Sequence, residues 1–253
     1  MPMDGKNRPR AGKSLGSILD AARTTRYQIA MLHFPKFALH GARVAALSGC
    51  DDGDCAHNAP DPAPRECLLH ACGLLPHQLV TVRQIHGIAI VQADPTCRPD
   101  ADGLITNRVD VALGITVADC VPLYLLAPEH HAIALLHAGR EGTRGNIAAA
   151  GITALQETYG VPPSALYALI GPSAGPCCYE VDDACAEDFR QAGLPATGRR
   201  IDLWEANRLQ LTAAGLLSER IEIVRHCTIC GGGFHSYRAH QTPQRNLAIL
   251  ALN

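Results

Sequence analysis

The stretch VALGITVADCVPLYLLAPEHHAIALLHAGREGTRG, residues 111–145, decides how the chain folds. Residues 111–127 are apolar enough to suggest a membrane span, but Asp119 and Pro122 interrupt them. A carboxylate is costly in hydrocarbon and proline lacks an N–H, so the stretch reads as two buried strands, 111–117 and 121–127, meeting at a bend. A third apolar run, 132–137, ends in His137 and enters a glycine-rich turn directly. Beyond it, Ile147, Ala148, Gly151, Ile152 and Leu155 recur at helical spacing. This predicts an amphipathic helix from about Thr143 to Tyr159 with Thr143 as its N-cap.

Outward from this stretch, strand-like runs occupy 79–93, 165–171, 220–226 and 246–252, and helical patterns 67–75, 182–192 and 202–216. Strands and helices interleave without the regular alternation of a doubly wound sheet, and no linker divides the chain after residue 66. The expectation is one α+β domain, a mixed-sheet layered fold over residues 27–253. Residues 1–26, basic and rich in glycine and proline, read as a flexible leader, and 50–66, CDDGDCAHNAPDPAPRE, as a long loop.

The composition narrows the function. With 47% apolar and 18% charged residues and a formal charge of -2, the chain has no electrostatic footprint for nucleic acid or an anionic membrane. Residues 1–26 contain no apolar h-region, so no secretion signal is read there. The 11 cysteines are therefore expected to be reduced thiols in a cytoplasm rather than a disulfide framework. CTIC at 227–230 has C-x-x-C spacing, but no second such pair completes a four-cysteine zinc site. Cys177 and Cys178 are expected to be structural.

Three residues able to bind a soft or borderline metal stand at the ends of apolar runs: His86 in VRQIHG, Cys120 in ITVADCVP and His137 in IALLHAGREG. Two imidazoles and a thiolate suit Zn2+ and leave a fourth tetrahedral position open, the mark of a catalytic site. Their wide spacing leaves open whether they meet. The turn HAGREGTRG leads into a helix start whose N–H groups suit a phosphate, with Thr143, Arg140 and Arg144 beside it. Other readings remain at this point. Cys120 could be a thiolate nucleophile with His137 or His86 as base, giving a cysteine hydrolase or amidase. The metal could also stabilise a non-enzymatic binding module. Copper is disfavoured, because a multicopper oxidase needs closely spaced histidine pairs, and the 12 histidines include no H-x-H.

Taken together and in order, RQIHG, ADGLIT, VADCVPLYLL, HAGREGT, IGPSAGPCCYEV, DLWEANRLQL and CTICGGGFHSYR resemble the YfiH family over roughly residues 79–253. That family was long labelled laccase-like polyphenol oxidase and is now described as purine nucleoside phosphorylase with adenosine deaminase activity. The resemblance implies a single α+β sandwich-like domain of the YfiH type and a zinc site formed by His86, Cys120 and His137, which would also be the catalytic residues. It implies a nucleoside (adenosine, inosine or methylthioadenosine) and phosphate as substrates, and the residues read here as candidates to meet them are Thr143 and Arg144 of the turn and Arg238. For deamination, such a centre activates water for attack at C6 of adenine, and a nearby acid, Asp119 or Glu180, moves the proton to the leaving ammonia. Two departures stand out. Arg140 and Glu141 follow H-A-G where the family commonly has tryptophan and arginine, and the acid at 141 would repel an anionic substrate such as phosphate unless it pairs with Arg144. His235 replaces an aromatic residue in FHSYR.

Overall fold

The computed structural model describes residues 30–253; the proposed leader, 1–26, lies outside the described residues. Two mixed sheets pack face to face. The first has the order β1 (Leu32–His33), β2 (Ala42–Leu47), β13 (Asn246–Leu252), β6 (Ala112–Val117), β3 (Leu79–Thr81). The second runs β12 (Ile221–Ile223), β9 (Tyr167–Ile170), β7 (Val121–Ala127), β8 (Ala132–Ala138), β5 (Gly103–Thr106), β4 (Ile90–Gln92). A small hairpin pairs β10 (Ala196–Thr197) with β11 (Arg200–Ile201).

The unbroken apolar runs follow from this layering. Every residue of β7, β8 and β13 is buried, because both faces of each strand are covered. Alternation sorts the β7 side chains. Tyr124 and Leu126 point between the sheets against Leu113, Ile115 and Leu250, while Leu123 and Leu125 face a layer of helices. Helices α1 (Pro35–Leu39) and α2 (Ala63–Ala71) belong to the first sheet's side, and Leu68 and Leu69 of α2 cover Val44, Ala46, Leu247 and Ile249.

The helix expected over 143–159 is two. Helix α3 spans Arg140–Arg144 and α4 spans Ile147–Tyr159, separated at Asn146, whose φ is +65°. Asn146, and not Thr143, is the N-cap of the long helix, its side chain accepting from the Ala149 N–H. Asparagine tolerates the left-handed region and so can end one helix and start another. The apolar stripe of α4 is the one its spacing predicts: Ile147, Ala148, Gly151, Ile152 and Leu155 are buried. Burying its three largest members is worth roughly 1.5–3 kcal/mol each. A Cβ on Gly151 would lie 2.5 Å from Leu136 Cδ1, so glycine sets how closely α4 approaches β8. Helices α5 (Asp183–Gln191) and α6 (Leu203–Ala213) complete this layer through Phe189, Trp204 and Leu211, and α7 (Tyr237–His240) precedes β13.

One strand expectation changes, and the bend expected between 117 and 121 proves to be a crossing between sheets; together they create the site. The run 79–93 is not one strand: β3 and β4 lie in different sheets, and residues 82–89 cross between them. Likewise β6 and β7 do not turn back on each other within one sheet. They belong to opposite sheets, and Ala118–Asp119–Cys120 carries the chain across, with Asp119 at φ +85°. Each crossing carries a ligand-type residue, His86 on the first and Cys120 on the second.

Tyr124 ties the layers together. Its ring meets Phe34 edge-on at 5.3 Å between centroids, and its hydroxyl donates to the Ala46 carbonyl of the facing sheet at 2.8 Å. Tyr124→Phe keeps the packing and removes that buried bond. Urea denaturation should show a loss of about 1 kcal/mol; an unchanged midpoint would mean the bond adds no stability.

Candidate metal centre and active-site cleft

The bends bring the three ligand-type residues together. His86 sits in the 82–89 crossing at φ +61°, Cys120 at the end of the 118–120 crossing, and His137 in β8 opposite Pro122 of β7. One ligand atom of each lies within 4.8 Å of the other two. The imidazole rings of His86 and His137 stand edge to face, 4.9 Å between centroids. His137 is buried, Cys120 half-buried and His86 exposed, so the cluster opens on one side. Gly139 permits this closeness: a Cβ there would lie 2.9 Å from Cys120 Sγ.

Asp102 organises the cluster, and it is a residue to which the sequence assigned no role. Its side chain is completely buried. One oxygen bonds His137 Nδ1 at 2.8 Å, and the pair of oxygens accepts the N–H groups of Ile85, His86 and Gly87 at 3.2, 2.9 and 2.6 Å. With Nδ1 committed to Asp102, His137 directs Nε2 at Cys120, the arrangement in which metal-binding histidines are held. The signal in the sequence was an acid at the head of an apolar strand, ADGLIT, which is affordable only when paired. Gln84 anchors the same crossing, its amide exchanging bonds with the Thr116 backbone at 2.8 and 2.9 Å.

The electrostatics suit a cation. Burial opposes ionisation of Cys120, but the charge of His137 and hydrogen bonds from His137 and His86 outweigh it and bring the thiol down to about 6. Burial likewise opposes protonation of His137, and the thiolate with the Asp102 hydrogen bond raises it to about 9. Without a metal, the pair is thiolate and imidazolium at neutral pH. A divalent cation takes the place of that proton.

The cluster forms part of the lining of a cleft of about 860 Å3, a size suited to a small-molecule ligand. Its other walls carry Arg83, Arg98, Arg140, Arg238 and Arg245, with Tyr179 and Tyr237. Burial and the neighbouring Arg83 and Arg65 depress Arg98, a sign of crowded positive charge. Asn58, from the Asp/Pro-rich loop, also lines the cleft. That loop is fastened by His235, whose Nε2 lies 3.0 Å from the Gly53 carbonyl, which accounts for a polar residue in FHSYR.

Several expected roles find different surroundings. Thr143 is fully buried, and its hydroxyl and carbonyl accept from Asn207 and Gln210 at 3.1 and 2.6 Å. Arg144 pairs with Asp188 outside the cleft, so Glu141 pairs with Arg140 instead, at 2.8 Å. Glu180 is exposed and faces Arg199 away from the cleft. Asp119 does line the cleft, but its oxygens accept from Thr228 Oγ1, Ser236 Oγ and the Arg238 N–H at 2.6–2.7 Å. Arg238 is in the cleft wall, over the Tyr179 ring.

CTIC does have cysteine partners. Cys177 and Cys178 lie against Cys227 and Cys230, a second cluster of four ligand-type sulfurs. The partner pair is two adjacent cysteines rather than another C-x-x-C, so spacing did not reveal it. None of the 11 cysteines is in a disulfide. Among the described residues these are the two metal-type groups of His, Cys, Asp and Glu, and together they contain only His86 and His137 as histidine donors. A trinuclear copper cluster has no ligand set there.

In metal-stripped protein, alkylation of Cys120 followed by peptide mapping should titrate near pH 6 and fall as pH drops below it. His137→Ala should move that midpoint up toward or beyond the ordinary thiol value of about 8.5. An unmoved midpoint would show that the imidazolium does not hold the thiolate.

Residues 53–253 match the family described as multi-copper polyphenol oxidoreductase laccase. A purine nucleoside phosphorylase, YlmD of Geobacillus stearothermophilus, is 38% identical over 194 residues, 68% of this chain and 71% of that protein. An adenosine deaminase, RL5, from an unknown prokaryotic organism, is 33% identical, over 60% of this chain and 66% of its own length. The crystal structure of the Geobacillus YlmD superposes with a TM-score of 0.81 at 31% identity, covering 89% of this chain and 97% of that one. That of Bacillus licheniformis YfiH gives 0.80 at 25% identity, covering 88% and 97%. A shared fold over nearly the whole described length and a family match over most of the chain agree: the protein is an enzyme of the YfiH, or laccase-like polyphenol oxidoreductase, family.

Proposed function

We propose that the chain is a zinc-dependent purine nucleoside phosphorylase with adenosine deaminase as a second activity. The observation that carries this reading is a two-histidine, one-thiolate cluster in the lining of a cleft that five arginines also line. The donor set fits Zn2+. Three ligands of the right type converge, the buried histidine is fixed by a carboxylate, and the exposed side faces the cleft. Bound there, Zn2+ would supply Lewis-acid polarisation at the reacting atoms.

The chain's own residues divide the remaining work. Arg98, a cleft-wall arginine with no ion-pair partner among the described residues, receives the phosphate, with Arg83, itself paired with Asp100, beside it. The expected anion site, the 139–145 turn, yields to this wall because Thr143 and Arg144 are engaged elsewhere. Tyr237, half exposed, offers its ring face to the purine, and Arg238 and Tyr179 form the neighbouring wall. In phosphorolysis a phosphate oxygen bonds to C1′ as the C1′–N9 bond breaks, and the departing base takes a proton. Asp119 is bound up with the 228–238 loop, so Glu141, the cleft carboxylate held by Arg140, moves that proton. A set of cysteines outside any disulfide fits a reducing compartment such as the cytoplasm. Among the described residues no helix is long and apolar enough to cross a membrane.

The thiolate–imidazolium pair favours one competing reading, a cysteine hydrolase, which would keep its activity after the metal is stripped. The deciding experiment incubates metal-analysed protein with adenosine, inosine and methylthioadenosine, with and without phosphate. Free base and ribose 1-phosphate (or its methylthio analogue), formed only with phosphate, are expected. Inosine and ammonia alone from adenosine, at a rate indifferent to phosphate, would make the chain a deaminase only.

Two variants test the parts. Arg98→Ala should raise the KM for phosphate roughly tenfold or more, the size of a lost charge-assisted hydrogen bond, while Arg144→Ala leaves it unchanged. The reverse pattern would return the phosphate to the 139–145 turn. Asp102→Asn places an amide N–H against backbone N–H donors. It should weaken zinc binding roughly 10- to 100-fold, read by chelator competition. Undiminished affinity would remove Asp102 as the organiser.

A further inference from the structure

We propose that Cys177, Cys178, Cys227 and Cys230 form a second metal site, a closed tetrathiolate centre for Zn2+. Their sulfurs lie within 4.8 Å of one another. Four sulfurs bound tetrahedrally at about 2.3 Å would stand about 3.8 Å apart. Cys177 and Cys230 Sγ are separated by 3.7 Å, near that spacing and far beyond the roughly 2.05 Å of a disulfide.

The backbone is arranged for the four sulfurs to meet. An isolated bridge pairs Ser173 with Cys227, with Thr228 N–H donating to the Ser173 carbonyl at 3.0 Å. This register lays the turn at 176–178 beside the turn at 228–230. Gly231 closes the second turn: its N–H donates to the Cys227 carbonyl at 2.8 Å, and a Cβ there would lie 2.6 Å from that oxygen. The sulfur of Cys227 receives the Gly175 N–H at 3.3 Å, a contact that suits a thiolate better than a cysteine serving as a small hydrophobe. A divalent ion held by all four sulfurs would offset their mutual repulsion as thiolates.

Four ligands and no open position mark a structural centre, and the exposed Cys177 and Cys230 give the ion a way in. Its place in the fold gives it a task. Cys178 precedes Tyr179 of the cleft, and Cys227 precedes Thr228, which binds Asp119. The ion would join the two loops that form the Tyr179–Arg238 wall.

The test is metal stoichiometry on the full chain, purified anaerobically and reconstituted with Zn2+ or Co2+. Wild type should hold two equivalents, and Cys177→Ser/Cys230→Ser should hold one. Cys120→Ala, which disables the first centre, should retain one Co2+ with the intense charge-transfer bands of four thiolates. One equivalent in wild type, unchanged in the double variant, would overturn the proposal. So would a Cys177–Cys230 disulfide in the anaerobic protein. If the double variant does not fold, the cobalt spectrum of Cys120→Ala decides alone, and absence of bound cobalt there counts against the site.

Discussion

The Asp102 carboxylate is the constraint on which the centre depends. A fully buried acid is costly unless its charge is shared among several donors, and here three consecutive backbone N–H groups and one imidazole share it. The same contacts carry out two tasks. They fold residues 85–87 into a turn that presents His86, and they fix the tautomer of His137, which lies in β8 of the second sheet. Asp102 itself immediately precedes β5, the neighbour of β8, and its carbonyl accepts the His137 N–H at 2.7 Å. One carboxylate thus sets the relative position of two ligands fifty-one residues apart (137 − 86 = 51).

The sandwich supplies what Asp102 alone cannot. Strands buried on both faces leave no room for polar chemistry within the core, so it collects where chains pass from one sheet to the other. His86 and Cys120 are both carried on such crossings, and His137 meets them near the end of β8. The cleft is therefore bounded by rigid strands on one side and by loops, 228–238 and the 50–66 segment, on the other.

How much of this the sequence revealed depends on the range of each signal. β13 was read at its observed limits, and the α4 stripe residue by residue, because period and burial are local properties. His86, Cys120 and His137 stood out as ligand types at the ends of apolar runs. The continuous strand over 79–93 failed because hydrophobicity does not say which sheet a residue joins, and β3 and β4 join different ones. The break at Asn146 was missed because a single left-handed residue leaves no mark on a helical period. Arg98 and the cysteine cluster were out of reach for another reason. Their meaning lies wholly in neighbours brought up by the fold, Arg83 in one case and two adjacent cysteines fifty residues upstream in the other (227 − 177 = 50).

Backbone strain follows the same geography. His86 and Asp119 are among the five non-glycine residues at positive φ in the described part of the chain, and each lies on a crossing that bears a ligand. Such conformations cost on the order of 1–3 kcal/mol and persist only where the surroundings over-determine them. At His86 the determinant is Asp102, which takes the N–H groups on either side of it as well as its own. At Asp119 it is the residue's own carboxylate, engaged by Thr228, Ser236 and the Arg238 N–H, while its carbonyl accepts from Ala174. Each strained residue is thus held by a carboxylate with more than one partner. The second carboxylate reaches into the loops that also carry the four-cysteine cluster. A disturbance of that cluster would therefore be felt first at Asp119, and through it at the adjacent thiolate of Cys120. The cleft wall and the metal-type triad are thus joined at Asp119, whose carboxylate holds the 228–238 loop and whose chain neighbour is Cys120, although their residues come from separate parts of the chain.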